Sequence, residues 1–393
     1  MQDFTPHILI IATGGTIAGQ STACDTAPHK KHEKHEKRKK YTKYKKYSQN
    51  QYRAGVLHID KILDSLHLLD STYPALKARI STKQLANIDS ADMNDKIWLK
   101  LIKEIKKAIP TNATKTNTQS NQIDGIVITH GTDTLEESAY FLHLCMSAFG
   151  TKSTTKSTPQ FGVQKSPIPI ILTGAMRPFD ALDFDGAQNL YDAISLACET
   201  PPKAVMVVMN EKIFCPRDLS KLHTTHIDAF GMSNDKTLGT IKKGKATFTD
   251  FRLFSKPNAK SLPPLKWLKI ADLLRKKRLP KVDILYSYSN DASAVAAKAF
   301  VKNGAQGLVI AGSGAGSIHK AHKKTLKTLI KKGIAIVVSS RINRGNVALK
   351  DSDKNAGFID SNGLNPQKAR VLLALALIYT NDTGKIQKCF DRF

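Results

Sequence analysis

The stretch Ile8-Leu9-Ile10-Ile11-Ala12-Thr13-Gly14-Gly15-Thr16-Ile17-Ala18-Gly19 joins an apolar run to a glycine pair flanked by threonines. A short apolar run closed by glycines reads as a buried strand entering a tight turn. The same design recurs in Gly125-Ile126-Val127-Ile128-Thr129-His130-Gly131-Thr132-Asp133-Thr134-Leu135-Glu136-Glu137. In an open α/β sheet, ligands lie outside the carboxyl ends of the parallel strands. Two hydroxyl-bearing turns of this kind are therefore expected to converge on one pocket lined by threonines and an acid.

Outward from these turns, apolar strands alternate with helical patterns. Strands are expected at Ile8 to Ala12, Ile126 to Thr129, Ile168 to Thr173 and Ala204 to Met209, with helices at Leu135 to Met146 and Gly186 to Ala197. A second series has strands at Val282 to Tyr286, Gly307 to Ala311 and Gly333 to Ser339, with helices at Ala292 to Val301 and Lys320 to Lys332. Such alternation predicts two α/β domains: a larger N-terminal one with a mostly parallel sheet flanked by helices, and a smaller C-terminal parallel-sheet domain. The expected division is 1–250 and 280–393, joined by a Lys- and Pro-rich linker at 251–279. Three polar stretches, 28–51, 111–122 and 151–166, are too poor in apolar residues to offset chain entropy and are expected to be inserted mobile loops.

Bulk properties narrow the function classes. A chain of 393 residues suits two domains, and its apolar content of 41% is ample for burial. No apolar run reaches the roughly 18 to 20 residues of a membrane span. Ala369 to Tyr379, interrupted by Arg370, reads as a buried helix. Only seven residues precede the first strand, which leaves no room for a separate signal peptide, and a cytoplasmic location is expected. The five cysteines, Cys24, Cys145, Cys198, Cys215 and Cys389, have neither paired nor finger spacing and are expected to be reduced thiols. Sixty Lys and Arg against 33 Asp and Glu give a net charge of +27, of which the segment Lys30 to Arg53 carries +9. This excess is consistent with a solvated basic surface; it also admits binding of nucleic acid or an anionic surface through the basic loop, as a secondary property.

The motifs resemble those of the bacterial-type L-asparaginase family. Thr13-Gly14-Gly15-Thr16-Ile17-Ala18-Gly19 and His130-Gly131-Thr132-Asp133-Thr134 match its two signature segments. Four further stretches follow in family order: Asp89 to Asp95, Gly174-Ala175-Met176-Arg177-Pro178, Asp185 to Tyr191, and Leu364-Asn365-Pro366-Gln367-Lys368-Ala369-Arg370. A lone glycine turn would be weak evidence, whereas six ordered segments span nearly the whole chain.

The resemblance implies hydrolysis of L-asparagine without a cofactor or metal. Such chemistry needs a nucleophile, a way to remove its proton, an oxyanion site and a proton for the departing ammonia. On residue chemistry alone, Thr16 could equally cap a helix; the resemblance makes it the nucleophile. Thr132 and Asp133 could likewise cap the helix near Leu135; by resemblance Thr132 is catalytic and Asp133 binds the substrate α-ammonium. Lys221, one basic residue among sixty, aligns with the family's catalytic lysine and would relay a proton. Ser90, which could also be a turn residue, is implied to hold the α-carboxylate, and Ala175 to present a main-chain carbonyl to the amide. Tyr52 aligns with a lid tyrosine, with Tyr41, Tyr44 and Tyr47 as neighbouring alternatives.

Two departures from the family pattern bear on selectivity. Ala91 stands where the family commonly has glutamine, which removes a polar contact to the substrate amino group. The acid normally supplied by a neighbouring subunit aligns with Asp351, with Asp353 as a competing register, and Ser317 aligns with another cross-subunit contact. The resemblance thus implies a homotetramer with shared sites. Competing readings are a mixed glutaminase-asparaginase and an asparaginase-like amidotransferase subunit acting with tRNA, although the extra N-terminal domain of the latter is missing. The Gly312-x-Gly314-x-Gly316 spacing departs from the dinucleotide fingerprint, which weakens an oxidoreductase reading. A non-enzymatic basic binding module would release no ammonia from asparagine.

Overall fold

The computed structural model describes residues 5–21, 52–109, 122–146, 166–199, 202–233, 235–249 and 270–393. β1 (His7–Gly14) enters a single 3-10 turn at Thr16–Ala18 and then β2 (Gln20–Ser21), which pairs antiparallel with β3 (Tyr52–Arg53). Next come α1 (Ile59–Asp64), β4 (Arg79–Ile88), α2 (Asp95–Ala108), β5 (Gly125–Thr129), α3 (Leu135–Met146), β6 (Ile170–Thr173), α4 (Gly186–Cys198) and β7 (Val205–Met209). Short strands follow: β8 (Lys212–Phe214), β9 (Leu219–Lys221), β10 (Phe230–Met232), β11 (Gly239–Lys242) and β12 (Lys245–Phe248). The later part contains α5 (Ile270–Arg275), β13 (Val282–Tyr286), α6 (Ser293–Lys302), β14 (Gly307–Gly312), α7 (Lys320–Lys331), β15 (Ala335–Ser340), α8 (Asp351–Lys354), β16 (Phe358–Asp360), α9 (Pro366–Ala376) and α10 (Thr383–Arg392).

The large sheet has the order β12-β11-β8-β7-β6-β5-β1-β4. From β4 to β7 all pairs are parallel; from β7 to β12 they are antiparallel, so this sheet is mixed. A separate four-stranded sheet, β13-β14-β15-β16, is parallel throughout. Ile126, Val127, Ile128, Ile170, Ile171 and Leu172 are fully buried, as strands covered on both faces require. β4 escaped the sequence reading because it is an edge strand: Arg79, Ser81, Lys83 and Gln84 give it no continuous apolar run.

Strand register positions the site. Ala12 of β1 lies beside Thr129 of β5, and Thr129 lies beside Thr173 of β6. The three turns that follow therefore emerge side by side at one end of the sheet. Thr13 Oγ1 donates to the Thr129 carbonyl at 2.9 Å, tying the first two turns together at their bases.

α9 packs on α3 and on β13 and β14, joining the two sheets through buried Val371, Leu372, Leu373 and Leu375. Its start is fixed by Asn365, whose side chain accepts the Lys368 N–H, with Pro366 in the first turn. Within the stretch expected as linker, residues 251–269 lie outside the described residues, while Ile270–Arg275 is α5, which packs on α2 with Leu273 fully buried. The polar stretch 28–51 and residues 151–165 also lie outside the described residues, as do 111–121. Among the described residues no helix is long and apolar enough to cross a membrane.

Candidate active site

Gly14 and Gly15 have φ of 103° and 83°, a region that side-chain-bearing residues rarely adopt. This bend carries the chain from the end of β1 against the β5 turn, where Gly131 meets Gly15. A Cβ on Gly131 would in turn fall 2.7 Å from Ser90 Oγ, so two backbones and the Ser90 side chain approach closely at one point. Gly15, and not Thr16, is the N-cap of the 3-10 turn. Thr16 is instead its buried first residue, and its Oγ1 lies 2.9 Å from Tyr52 Oη. Pairing of β3 with β2 delivers Tyr52 there, and the ring passes over Gly19, where a Cβ would lie 2.9 Å from Tyr52 Cδ2. Tyr41, Tyr44 and Tyr47 lie outside the described residues.

The second turn gathers Thr132, Asp133 and Lys221. Lys221 Nζ donates to Thr132 Oγ1 at 2.8 Å and to Asp133 Oδ1 at 2.6 Å. The lysine side chain is 17% exposed and the aspartate 62%, so the ammonium is sheltered while the carboxylate faces the open side. Ser90 crosses from the third segment: its Oγ accepts the Asp133 N–H at 3.2 Å and its carbonyl accepts the Thr134 hydroxyl at 2.8 Å. The neighbouring helix α2 is capped by Asn94, which frees Ser90 from that duty.

The turn after β6 completes the wall. Ala175 is fully buried, and Asn189 Nδ2 donates to the preceding Gly174 carbonyl at 3.0 Å. Asp185 accepts N–H bonds from Met176 and Arg177 at 2.9 to 3.0 Å and so holds the loop in shape. Burial raises the Asp185 pKa, and these N–H bonds oppose the shift. Burial likewise pulls His130 down to about 4, leaving a neutral imidazole whose Nδ1 donates to the Gly131 carbonyl at 2.7 Å. Chemically, the site offers two hydroxyl groups, each beside a proton-exchanging partner, and a carboxylate toward solvent.

The remaining expected residues lie outside this hydrogen-bonded group. Ala91 is exposed beside Ser90, its N–H bonded to Asp89 Oδ1 at 3.0 Å. Ser317 bridges to Ser313 at the end of β14, within the small domain. Asp351 opens α8 with its side chain 94% exposed, whereas Asp353 is buried and accepts from Lys323 Nζ at 2.7 Å. Cys145, Cys198, Cys215 and Cys389 are free; burial pushes Cys198 and Cys389 up to about 11, Cys215 to about 12 and Cys145 further. Cys24 lies outside the described residues. Among the described residues no group of three or more His, Cys, Asp and Glu could hold a metal ion.

Sequence reasoning assigned no role to Glu136, Asn365 and Lys368, which surround the backbone of β9. Glu136 Oε2 accepts the Lys221 N–H at 3.1 Å, and Asn365 Nδ2 donates to Glu136 Oε1 at 3.1 Å. The available signal was a lysine in the first turn of a helix that reads as buried, a position that is costly unless the charge is paired.

The comparisons with known proteins cover the same ground. The family model described as Asparaginase, N-terminal, matches residues 7–152 and 153–252, and the Glutaminase/Asparaginase C-terminal domain matches 281–390. The chain is 36% identical to L-asparaginase 2 of Escherichia coli (strain K12), over 99% of this chain and 93% of that protein. It is 35% identical to L-asparaginase 2 of Bacillus subtilis (strain 168), over 99% of this chain and 87% of that protein. A crystal structure described as a probable cytoplasmic L-asparaginase from Campylobacter jejuni superposes with a TM-score of 0.72 at 40% identity, covering 99% of this chain and 100% of that one.

Proposed function

The chain belongs to the asparaginase family, and we propose on that footing that it is an L-asparaginase, an amidohydrolase that converts L-asparagine and water to L-aspartate and ammonia. The observation that carries the mechanism is the pairing of Thr16 Oγ1 with Tyr52 Oη at 2.9 Å and of Thr132 Oγ1 with Lys221 Nζ at 2.8 Å. A threonine hydroxyl is a poor nucleophile until a partner takes its proton. In the proposed first step, Thr16 Oγ1 bonds to the side-chain carboxamide carbon, and its proton passes through the Tyr52 hydroxyl to the leaving nitrogen. The C–N bond then breaks and ammonia departs, leaving an aspartyl ester on Thr16. Water adds to that ester, its proton travelling through Thr132 and Lys221, and Thr16 recovers its hydroxyl as aspartate leaves.

N–H groups of the Gly131–Thr132 turn supply the oxyanion donors in this reading. Asp133, open to solvent, takes the substrate α-ammonium; Ser90 takes the α-carboxylate; the Ala175 carbonyl holds the amide. Asp351 and Ser317 serve a neighbouring subunit's site in a homotetramer, and the high exposure of Asp351 supports that role over Asp353. The division into domains 1–250 and 280–393 is supported by the residues that the two family models match. A cytoplasmic location is supported by the likeness to the structure described as a probable cytoplasmic L-asparaginase. No cofactor takes part, and binding of nucleic acid through residues 28–51 is left as a secondary property of the net +27 charge.

The test is ammonia release from L-asparagine by purified protein, combined with mass spectrometry of acid-quenched turnover. An aspartyl ester on the peptide containing Thr16 is expected. Turnover with the ester on another residue would refute Thr16 as the nucleophile.

A further inference from the structure

β9 carries Lys221, yet it belongs to neither main sheet: among the described residues it pairs only with β10, through Leu219, Ser220 and Lys221. A two-stranded ribbon is marginal by itself, so its position must be set from outside. The start of α9 supplies the restraint. Lys368 is 1% exposed, and its Nζ donates to the Arg217 carbonyl at 2.9 Å and to the Leu219 carbonyl. Three residues earlier, Asn365 accepts the Lys368 N–H at 3.0 Å while its amide donates to Ser220 Oγ and to Glu136 Oε1, each at 3.1 Å. Glu136 closes the loop by accepting the Lys221 N–H at 3.1 Å. Arg217, Leu219, Ser220 and Lys221 are thus each held by this one network.

A buried ammonium is costly unless dipoles and carboxylates replace its lost water. Burial lowers the Lys368 pKa, while Glu136 and Asp218 push it back up. A methionine would fill the same volume without that cost, so packing alone does not account for the lysine. We propose that Lys368, together with Asn365, is a positioning residue for Lys221, fixing β9 so that the Lys221 ammonium stays within reach of Thr132 and Asp133. The proposal rests on the role of Lys221 proposed above.

The test uses the full chain, with steady-state kinetics on asparagine and thermal melts of Lys368→Met and Asn365→Ser. Methionine removes the donor at similar volume; serine still caps α9 but lacks the amide donor. Because a misplacement of about 1 Å can cost about 100-fold, kcat should fall about 10- to 100-fold in Lys368→Met and about 3- to 10-fold in Asn365→Ser, with KM within about twofold. In a Lys221→Met background, either substitution should cost less than about a further twofold, a non-additivity that a general structural defect would not produce. Unchanged kcat in a folded variant, a parallel rise of KM, or fully additive losses would overturn the proposal. Should Lys368→Met fail to fold, Asn365→Ser decides by the same criteria. Parent-like turnover by Lys221→Met alone would refute both the role of Lys221 and its positioning; an inactive Lys221→Met with silent α9 variants would refute the positioning only.

Discussion

A Cβ built on Gly15 falls 2.2 Å from the Cα of Gly131, so the two catalytic turns touch glycine to glycine with no room for a methyl group. That contact sets how closely Thr16 and Thr132 approach, because each is the residue next to its glycine. Gly15→Ala would add a left-handed strain at φ of 83° to this overlap. The combined cost is about 2 to 5 kcal/mol if the turns separate. A lower melting temperature and a kcat reduced by more than about tenfold are expected. Parent-like values of both would show that the turns can slide apart freely.

Removal of the groups that handle protons should act on kcat. Thr16→Ala, Thr132→Ala and Lys221→Met should each lose about three or more orders of magnitude in turnover, and Tyr52→Phe about two. These four side chains form two hydrogen-bonded pairs, so the losses should combine far less than additively. Stopped assays with an ammonia-coupled readout check this, and near-normal turnover by Thr16→Ala would sink the mechanism.

Glutamine should be much the poorer substrate. Its longer side chain places the amide at Thr16 only if the amino group is firmly anchored, and exposed Ala91 offers no side-chain hydrogen bond. Comparable kcat/KM for the two amides would contradict this. Ala91→Gln should raise glutamine turnover relative to that of the parent.

The side chain of Asp351 is 94% exposed and lies 3.6 Å from Lys354, and its proposed role in another subunit's site can be tested directly. If the proposed shared site holds, Asp351→Asn should raise KM for asparagine while leaving the sedimentation coefficient unchanged. A fully active monomer in sedimentation would rule out shared sites.

His143 gives a pH signature away from the chemistry. It is buried in α3, and desolvation pulls its pKa to about 4, with Asp218 opposing. The unfolded chain therefore binds more protons at this position between about pH 6.5 and 4. Stability from His143 is present above that window and lost as pH falls through it, by about 1.4 kcal/mol per pH unit. Comparing unfolding of the parent with His143→Phe isolates this contribution from other buried groups. The difference between them should move in favour of the variant on acidification, and a pH-independent difference would contradict the assignment.

Much of the fold was legible in local pattern. The buried strands β5, β7 and β14 and the helices α3, α4, α6 and α7 were expected within two residues of their observed ends, because burial on both strand faces leaves unbroken apolar runs and helices show their own period; edge strand β13 was expected over its observed range although Asp283 interrupts its apolar run. The two glycine turns were equally visible: positive φ selects glycine at Gly14 and Gly15, and the close approach of Ser90 and Gly15 selects it at Gly131. Edge strand β4 and the antiparallel strands β8 to β12 were not, because one exposed face or a very short length erases the pattern.

The sequence by itself determined the chemistry that was available: which turns carry hydroxyls, in what order, and at which strand ends. It could not tell Thr16 from a helix cap or pick Lys221 from sixty basic residues by residue type alone, since a side chain's role depends on the groups around it. Tertiary structure decided those surroundings: Gly15 takes the cap, Tyr52 reaches Thr16 across 36 positions, and Lys221 reaches Thr132 across 89. The bracing of β9 by Asn365 and Lys368 is also wholly tertiary, for Lys368 lies 149 positions from Leu219. Contacts of that range leave no periodicity in the chain. They arise because packing α9 between the two sheets buries an ammonium, which must then find oxygen partners on whichever backbone passes nearby.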